Sequence, residues 1–394
     1  MKGSPLANLL RAIGFRAAYF LPYLLLTGSG YRLIRLTHPE RIGHLAGEMD
    51  CILKEERLGW APEQKGLLLA PANIVANARL VDYFERYVRV VRSPLVCRIL
   101  EPLLRIQRLQ FRPDMHGYIG AINQTARNMA IQVAWGDRPP LLSLAPEDWE
   151  RGEQALERLG LPRDARFVCL HSREGGYSPA DEHLHSYRNS RIENYVPAAE
   201  ALVERGLYCV RMGDPSMRPM PKVKGVVDYA NSGMQSDWLD LFLCARCEFF
   251  VGNTSGLYFL AQAFGVPCCL ANLLPMSASL GSGPHDIGIP KLLWSEALHR
   301  YLSFPEVLAS PKADYRFSEL YRQERLLPVE NDAGDIRDLV LEMHDRIEGR
   351  CCYSEDDEER QRTFRALMRP GHFSYGSASR VGRDFLRKHE NLLA

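Results

Sequence analysis

The sequence has almost no excess of charge of either sign. Its 49 Lys and Arg residues against 48 Asp and Glu residues leave a formal net charge of +1 at pH 7. Proteins that bind nucleic acids present a strongly basic field, which this balance does not provide. We therefore expect no nucleic-acid partner, and any anionic ligand has to be held by a local site.

The ten cysteines lack a spacing that predicts a metal site. The nearest approach is Cys244-Ala-Arg-Cys247, and no second pair follows it at zinc-finger spacing. His183 and His185 lack a third ligand at a known spacing. We expect no metal and no cofactor. Scattered cysteines inside apolar runs indicate small core residues and a reduced, cytoplasmic location.

The amino-terminal apolar stretch is too short to cross a bilayer as a helix. Residues 17–31 carry no charge but are interrupted by Pro22, and a spanning helix needs about 20 residues. Lys2, Arg11 and Arg16 precede this stretch. Basic residues before Leu-rich and aromatic sequence favour a segment 1–30 in the membrane interface. Packing against the first domain and a cleaved signal peptide are the alternatives.

A chain of 394 residues is long enough for two domains, each with its own core. Apolar runs that alternate with helical patterns predict an α/β protein with parallel, doubly wound sheets. We predict a first domain at residues 31–145 and a second at residues 160–370. A polar, proline-bounded helix at residues 146–159 marks the boundary, and residues 371–394 contain a last amphipathic helix, Ser377–Leu393.

Polar residues follow each predicted strand of the second domain. The carboxyl ends of parallel strands lie at one edge of a sheet, where such sheets bind their ligands. The candidate ligand-binding residues at this edge are His171, Arg173, Gly213, Asp214, Asn253, Thr254, Ser255, Gly256 and Asn272.

Two of these features suit a phosphate group. The small-residue turn 252–256 lies between a strand and a helix and leaves backbone N–H groups at the helix start, or it is an ordinary capped turn. Arg173 can make paired, charge-assisted bonds to a diphosphate, or it can pair with Glu174 or a helix carbonyl. His171 is alternatively a satisfied core residue.

Three segments resemble the nucleotide-sugar-binding domain of GT-B glycosyltransferases: FVCLHSREGGY, RMGDP and FFVGNTSGLYFLAQAFGVP. The closest branches are heptosyltransferase-like and fucosyltransferase-like, above all an uncharacterised bacterial family found near surface-polysaccharide genes. The similarity extends over about residues 140–290 and only loosely over the first domain. It implies two Rossmann-like domains that face a cleft, with a final helix that crosses back to the first. It also implies that Arg173 and His171 contact the donor diphosphate and that residues 253–256 cradle it.

The resemblance also suggests a general base. In the heptosyltransferase-like branch, an Arg/Lys-X-Gly-Asp-type loop after the first strand carries a carboxylate proposed for this role. This chain has Arg41-Ile42-Gly43-His44, so that His44 takes the place of the acid. Imidazole titrates near neutral pH and can accept a proton from an acceptor hydroxyl. Glu174 and Asp181 remain alternatives, because both reach the cleft if the loop after His171 folds inward.

The function implied by this resemblance is transfer of a sugar from a nucleotide-sugar donor to a glycan, a lipid-linked glycan or a protein. No Asp-X-Asp occurs in the predicted cleft loops, which a manganese-dependent GT-A enzyme would need. Arg173, backbone donors and the helix dipole would then neutralise the diphosphate without a metal. The acceptor side and residues 1–30 suggest contact with the cytoplasmic face of the inner membrane. The alternatives are a non-hydrolysing nucleotide-sugar epimerase and a noncatalytic scaffold.

Overall fold

The computed structural model describes residues 19–61, 64–110, 122–177 and 179–394. The chain divides into two compact units, Met1–Gln124 and Thr125–Ala394. Each unit contains its own parallel sheet. The predicted α/β class with Rossmann-like doubly wound sheets is confirmed.

Unit 1 is built on a three-stranded parallel sheet with the order β1-β2-β3. In chain order the described elements of this unit are α1 (residues 19–28), β1 (Tyr31–Ile34), α2 (Ile42–Arg57), β2 (Lys65–Leu69), α3 (Ala78–Phe84), β3 (Arg89–Val91) and α4 (Pro94–Gln110). Tyr23 of α1 and Leu103 of α4 pack with Leu33 and Leu69 of the sheet in one apolar core.

One strand of unit 1 was not expected from the sequence. The pattern predicts a single helix from Asn77 to Val90, and this prediction is wrong beyond Phe84. Asn77 caps the helix by accepting a bond from the Leu80 N–H at 2.7 Å. The helix then ends, and the valine-rich residues 88–91 favour an extended backbone that pairs with β2.

Unit 2 is larger and contains a seven-stranded parallel sheet and a small antiparallel one. Helix α5 (Ile122–Trp135) crosses the boundary between the units, and the following elements are α6 (Pro146–Arg158), β4 (Phe167–Leu170), α7 (Pro179–His185), α8 (Val196–Glu204), β5 (Tyr208–Arg211), β6 (Val226–Val227), α9 (Asp237–Arg246), β7 (Phe250–Gly252), α10 (Tyr258–Ala263), β8 (Cys268–Leu273), β9 (Ile287–Pro290), β10 (Leu292–Ser295), β11 (Arg300–Tyr301), α11 (Phe304–Leu308), α12 (Ser318–Gln323), β12 (Leu326–Val329), α13 (Ala333–Ile347), α14 (Glu355–Ala366), β13 (Arg380–Val381) and α15 (Arg383–Lys388).

The strand order of the large sheet determines where a ligand can bind. The order is β13-β9-β8-β7-β4-β5-β6, and all neighbours are parallel. The chain runs outward from β4 through β5 and β6, and then returns to the other side of β4 as β7. The direction of winding therefore reverses between β4 and β7. In sheets of this kind the crevice at the carboxyl ends of these two strands is the usual ligand site.

The helix predicted to separate the domains is part of unit 2. Helix α6 packs on α9, where Trp238 Nε1 donates to Asp148 Oδ1 at 2.9 Å. Gly152 permits this approach, because a Cβ at that position would lie 2.0 Å from a ring carbon of Phe242. The sequence signals at residues 146–159 are those of a polar, exposed helix face, which does not distinguish a linker from a surface helix.

The prediction of one continuous helix over Ser377–Leu393 is wrong. Arg380–Val381 instead forms β13 and pairs with Ile287–Gly288 of β9. The short helix α15 then packs on α13 and α14, where Arg387 makes a paired bond to Asp357 at 2.7 and 2.6 Å. These contacts hold the segment within unit 2, and the crossing to the first domain stays a prediction.

Candidate functional site

The loops that follow β4 and β7 are tied together where the winding direction reverses. The His171 N–H donates to the Val251 carbonyl at 2.9 Å, which continues the strand pairing to its end. Two residues later, the Arg173 N–H donates to Asn253 Oδ1 at 3.1 Å. Both predicted groups of residues, at 171–174 and 253–256, therefore line the same part of the sheet edge.

Asn253 positions these loops with its side chain. It is fully buried, and its amide nitrogen donates to the Arg188 carbonyl at 3.0 Å and to Ser190 Oγ at 2.9 Å. Ser172 Oγ also donates to the Ser190 carbonyl at 2.7 Å. Because the protein already uses both polar atoms of the Asn253 side chain, its geometry indicates a positioning role. The predicted contact of Asn253 with the diphosphate of a nucleotide sugar stays a prediction.

Arg173 is largely buried beside the β4 end, with 11% of its side chain exposed. Nη1 donates to Asn189 Oδ1 and to the His185 carbonyl at 3.4 Å, and it lies 3.5 Å from Glu182 Oε2. Burial, followed by the charge of Arg188, lowers the pKa of Arg173 to about 10, so the guanidinium stays charged at neutral pH. Within the described residues no hydrogen bond uses Nε or Nη2, which leaves two donors for an anion.

Lys291 is a second buried cation at this edge, and it was not predicted from the sequence. It follows β9 directly, is 3% exposed, and donates from Nζ to the Asn189 carbonyl at 2.5 Å. Asn189 thus contacts both Lys291 and Arg173. Burial lowers the pKa of Lys291 to about 8. A charged residue directly after an apolar run was the available signal, but Gly288 and Pro290 weakened the strand pattern of that run.

The turn after β7 retains unused hydrogen-bond donors. Backbone N–H groups of residues 254–257 find no protein acceptor among the described residues. Ser255 Oγ is buried without a partner, whereas Thr254 Oγ1 accepts a bond from the Leu274 N–H at 3.1 Å. Helix α10 begins only at Tyr258 and has six residues. The turn therefore offers a hydroxyl and backbone donors, while its helix is too short for a large dipole.

Among the described residues, two carboxylates at the same edge each have one oxygen that lacks a hydrogen-bond donor. Glu174 Oε2 accepts from the Arg218 N–H at 3.0 Å, but Glu174 Oε1 is buried without a donor. Asp214 Oδ1 accepts from the Ser216 N–H at 2.8 Å, and Asp214 Oδ2 is likewise buried without a donor. A buried acceptor without a partner costs about 1–3 kcal/mol, so such oxygens indicate missing hydroxyl or N–H groups.

His171 is held as a neutral imidazole. Its Nδ1 lies 3.2 Å from the Met212 carbonyl, which can only accept, so Nδ1 carries the proton. Burial, with Arg211 and Arg173 nearby, lowers the pKa of His171 to about 4. At neutral pH this ring brings no positive charge to a phosphate. Its predicted contact with the diphosphate stays a prediction, which this environment does not favour.

The remaining predicted residues of unit 2 have different surroundings. Gly213 adopts φ 144°, where a Cβ would also lie 2.4 Å from Met217 Sδ. Asp181 lies in the first turn of α7. Asn272 is fully buried within β8, where it exchanges bonds of 2.6 and 2.8 Å with Asn331. Its side-chain amide nitrogen also donates to the Tyr195 hydroxyl at 3.3 Å, so Asn272 links three separate segments of unit 2.

In unit 1, His44 lies near the start of α2, after the carboxyl end of β1. Its Nδ1 is 2.7 Å from Glu48 Oε1, and Glu48 is fully buried. The Thr37 N–H donates to the other oxygen of Glu48 at 2.9 Å. Glu48 was not predicted from the sequence, although a spacing of four residues on a helix places the two side chains on one face.

Among the described residues, no group of three or more His, Cys, Asp or Glu side chains is arranged to hold a metal ion. No helix in those parts of the chain is both long and apolar enough to cross a membrane. The absence of a metal and of a cofactor stays a prediction.

No protein-family model and no curated protein matches this chain. Among solved structures, a glycosyl transferase family 9 protein from Veillonella parvula is 12% identical, with 61% of this chain and 80% of that chain covered at a TM-score of 0.41. The ADP-heptose LPS heptosyltransferase II of E. coli is 14% identical, with coverages of 60% and 83% and a TM-score of 0.39. The UDP-GlcNAc 2-epimerase of Methanocaldococcus jannaschii is 11% identical, with 72% of each chain covered and a TM-score of 0.24.

Proposed function

We propose that this chain is a glycosyltransferase that takes its sugar from a nucleotide-sugar donor bound at the carboxyl edge of the unit 2 sheet. One observation supports the proposal: within the described residues, hydrogen-bond donors and hydrogen-bond acceptors without protein partners occur at the same edge of the sheet. Arg173, Lys291 and the turn 254–257 offer positive charge and N–H groups. Glu174 and Asp214 offer buried carboxylate oxygens without donors.

A nucleoside diphosphate sugar supplies hydrogen-bond partners for both the donors and the acceptors at this edge. Its diphosphate accepts bonds from Arg173, Ser255 and the backbone of the turn. Its ribose and sugar hydroxyls donate to the carboxylates of Glu174 and Asp214. A plain anion would satisfy only the first group, and a neutral sugar only the second. This double complementarity favours a nucleotide sugar over either alone.

The same groups suit the transfer reaction. When the bond between the sugar and the diphosphate breaks, negative charge grows on the leaving oxygen, and fixed donors stabilise it. We propose that Arg173 and Lys291 supply the charge that a divalent ion supplies in other transferases. The acceptor, which loses a hydroxyl proton in the reaction, is a glycan, a lipid-linked glycan or a protein.

Product analysis tests this proposal. The chain is incubated with labelled nucleotide sugars and a membrane-glycan extract, in EDTA, and the release of nucleoside diphosphate and labelled glycan is measured. We expect labelled acceptor with wild type and with Arg337→Ala, an exposed arginine in a local pair with Asp338, but not with Arg173→Ala. Release of an isomerised free nucleotide sugar, or no turnover of any donor, would contradict the proposal.

We further propose that unit 1 contacts the cytoplasmic face of a membrane. The α1 residues Phe20, Leu21, Leu24 and Leu25 are 45–65% exposed, and Leu95, Val96 and Ile99 of α4 are 40–64% exposed. Residues 1–30 contain Lys2, Arg11 and Arg16 without an acidic residue. Exposed apolar side chains, together with a basic sequence that lacks acidic residues, suit the interface of an anionic bilayer.

Vesicle flotation tests the membrane contact. We expect wild type to bind phosphatidylglycerol vesicles more strongly than phosphatidylcholine vesicles, and less strongly at high salt. Leu21→Glu with Leu25→Glu should abolish binding, while Leu298→Glu, at a leucine that is 54% exposed in unit 2, should not. Unchanged flotation of the double variant would contradict this contact.

A further inference from the structure

The described part of unit 1 contains an imidazole whose orientation is fixed by a buried carboxylate. His44 Nδ1 lies 2.7 Å from Glu48 Oε1, and the Thr37 N–H holds Glu48 Oε2 at 2.9 Å. The Glu48 side chain is 1% exposed and the His44 side chain 14%. An ionised carboxylate can only accept, so the bridging proton belongs to Nδ1 and the lone pair to Nε2.

We propose that Glu48 is a positioning residue that fixes His44 in the tautomer whose Nε2 accepts the proton of the acceptor hydroxyl. The proposal rests on the transferase function above. In the reaction, the acceptor oxygen forms a bond to the anomeric carbon and its proton passes to His44 Nε2. The bond from that carbon to the diphosphate oxygen breaks, and the diphosphate leaves with the electron pair. No oxidant and no further reactant is required.

The chemistry of the two side chains distinguishes this pair from an ordinary ion pair on a helix. Asp50 and Lys54 form such a pair on the same helix, with 2.8 Å between Nζ and Oδ2 and 7% of each side chain exposed. A lysine ammonium has no lone pair with which to accept a proton, so that pair cannot act as a general base. The His44–Glu48 pair contains a group that can accept a proton, and a carboxylate that orients an imidazole recurs in acid–base catalysis.

Nitrogen NMR tests the tautomer independently of any activity. Wild type with ¹⁵N-labelled histidine should show His44, assigned with His44→Gln, protonated at Nδ1 and unprotonated at Nε2 at a pH where the ring is neutral. Glu48→Gln should lose this fixed preference, because an amide can present either an acceptor or a donor. A wild-type ring protonated at Nε2 would overturn the proposal.

Kinetics tests the role in transfer. Glu48→Gln should lower kcat roughly 100-fold while donor KM changes less than about twofold, because the carboxylate acts through a general base. Asp50→Asn controls for loss of a buried acid on α2 and should leave kcat unchanged once its stability is matched. Equal kcat for Glu48→Gln and wild type would overturn the proposal. If wild type transfers no sugar, the proposed function fails, and the tautomer measurement still decides the role of Glu48.

Discussion

The strand ends of the two units carry different chemistry. In unit 2, Arg173 and Lys291 converge on Asn189, and the turn after β7 adds donors, so this edge suits an anion. In unit 1, His44 and Glu48 form a pair that suits the acceptance of a proton. Under the proposed function, we expect nucleotide-sugar binding and proton transfer to depend on separate sets of residues. Variants in one unit should therefore leave the other property intact.

The largest expected effect is on kcat. His44→Ala should lower kcat between about 10² and 10⁴-fold, the usual contribution of a general base. Binding of nucleoside diphosphate should stay within about twofold of wild type, because the proposed anion site lies in unit 2. Steady-state rates and calorimetric titration measure the two quantities. A parallel loss of binding would contradict the expectation that His44 takes no part in diphosphate binding.

Lys291→Met should change how stability depends on pH. Burial lowers the pKa of Lys291 from its ordinary value of 10.5 to about 8. Between these values the unfolded chain binds more protons than the folded chain, so the free energy of unfolding rises with pH across this window. The variant should lack this rise, which amounts to about 3 kcal/mol. Denaturant unfolding at pH 8 and pH 10.5 measures it, and identical slopes in both proteins would contradict the assignment.

Arg173→Ala should weaken binding of nucleoside diphosphates about 10- to 100-fold, because each charge-assisted bond contributes about 1.5–3 kcal/mol. The tautomer of His44 should not change. Circular dichroism and thermal unfolding show whether the loss of contacts with Glu182 and Asn189 disturbs the fold. Unchanged affinity in a folded variant would show that Arg173 does not contact the diphosphate.

The smallest effect concerns the turn after β7. Ser255→Ala should weaken diphosphate binding roughly fivefold, about 1 kcal/mol, without a loss of stability, because Ser255 Oγ has no protein partner. Thr254→Val is the matched variant and should lower stability by about 1 kcal/mol, because Thr254 Oγ1 accepts the Leu274 N–H. Titration and thermal unfolding of both variants check this contrast. Equal stability losses in the two would contradict the assigned contacts.

The sequence predicted the sheet edge because chain order alone determines it. Parallel strands with short loops place residues 171–174 and 253–256 at one edge, whatever the loops do in detail. Lys291 was missed because Gly288 and Pro290 obscure its strand. The use of Asn253 and Asn272 as internal ties was also beyond the pattern, because their partners lie 59 to 80 positions away along the chain.

Two errors concerned elements whose form depends on distant contacts. The strand β3 forms because β2 is available as a neighbour, and local periodicity continued the helix through it. At the carboxyl terminus, Arg380–Val381 is extended because it pairs with β9, although its surroundings have a helical pattern. Short strands at sheet edges depend on tertiary pairing more than on local propensity.

Calorimetric titration of the whole chain with nucleoside diphosphates in EDTA tests whether the protein binds a diphosphate through Arg173 without a divalent ion. We expect binding to at least one nucleoside diphosphate without a divalent ion, and a loss of that binding in Arg173→Ala but not in His44→Ala. No binding to any nucleoside diphosphate, or binding that requires a divalent ion and ignores Arg173, would contradict this expectation.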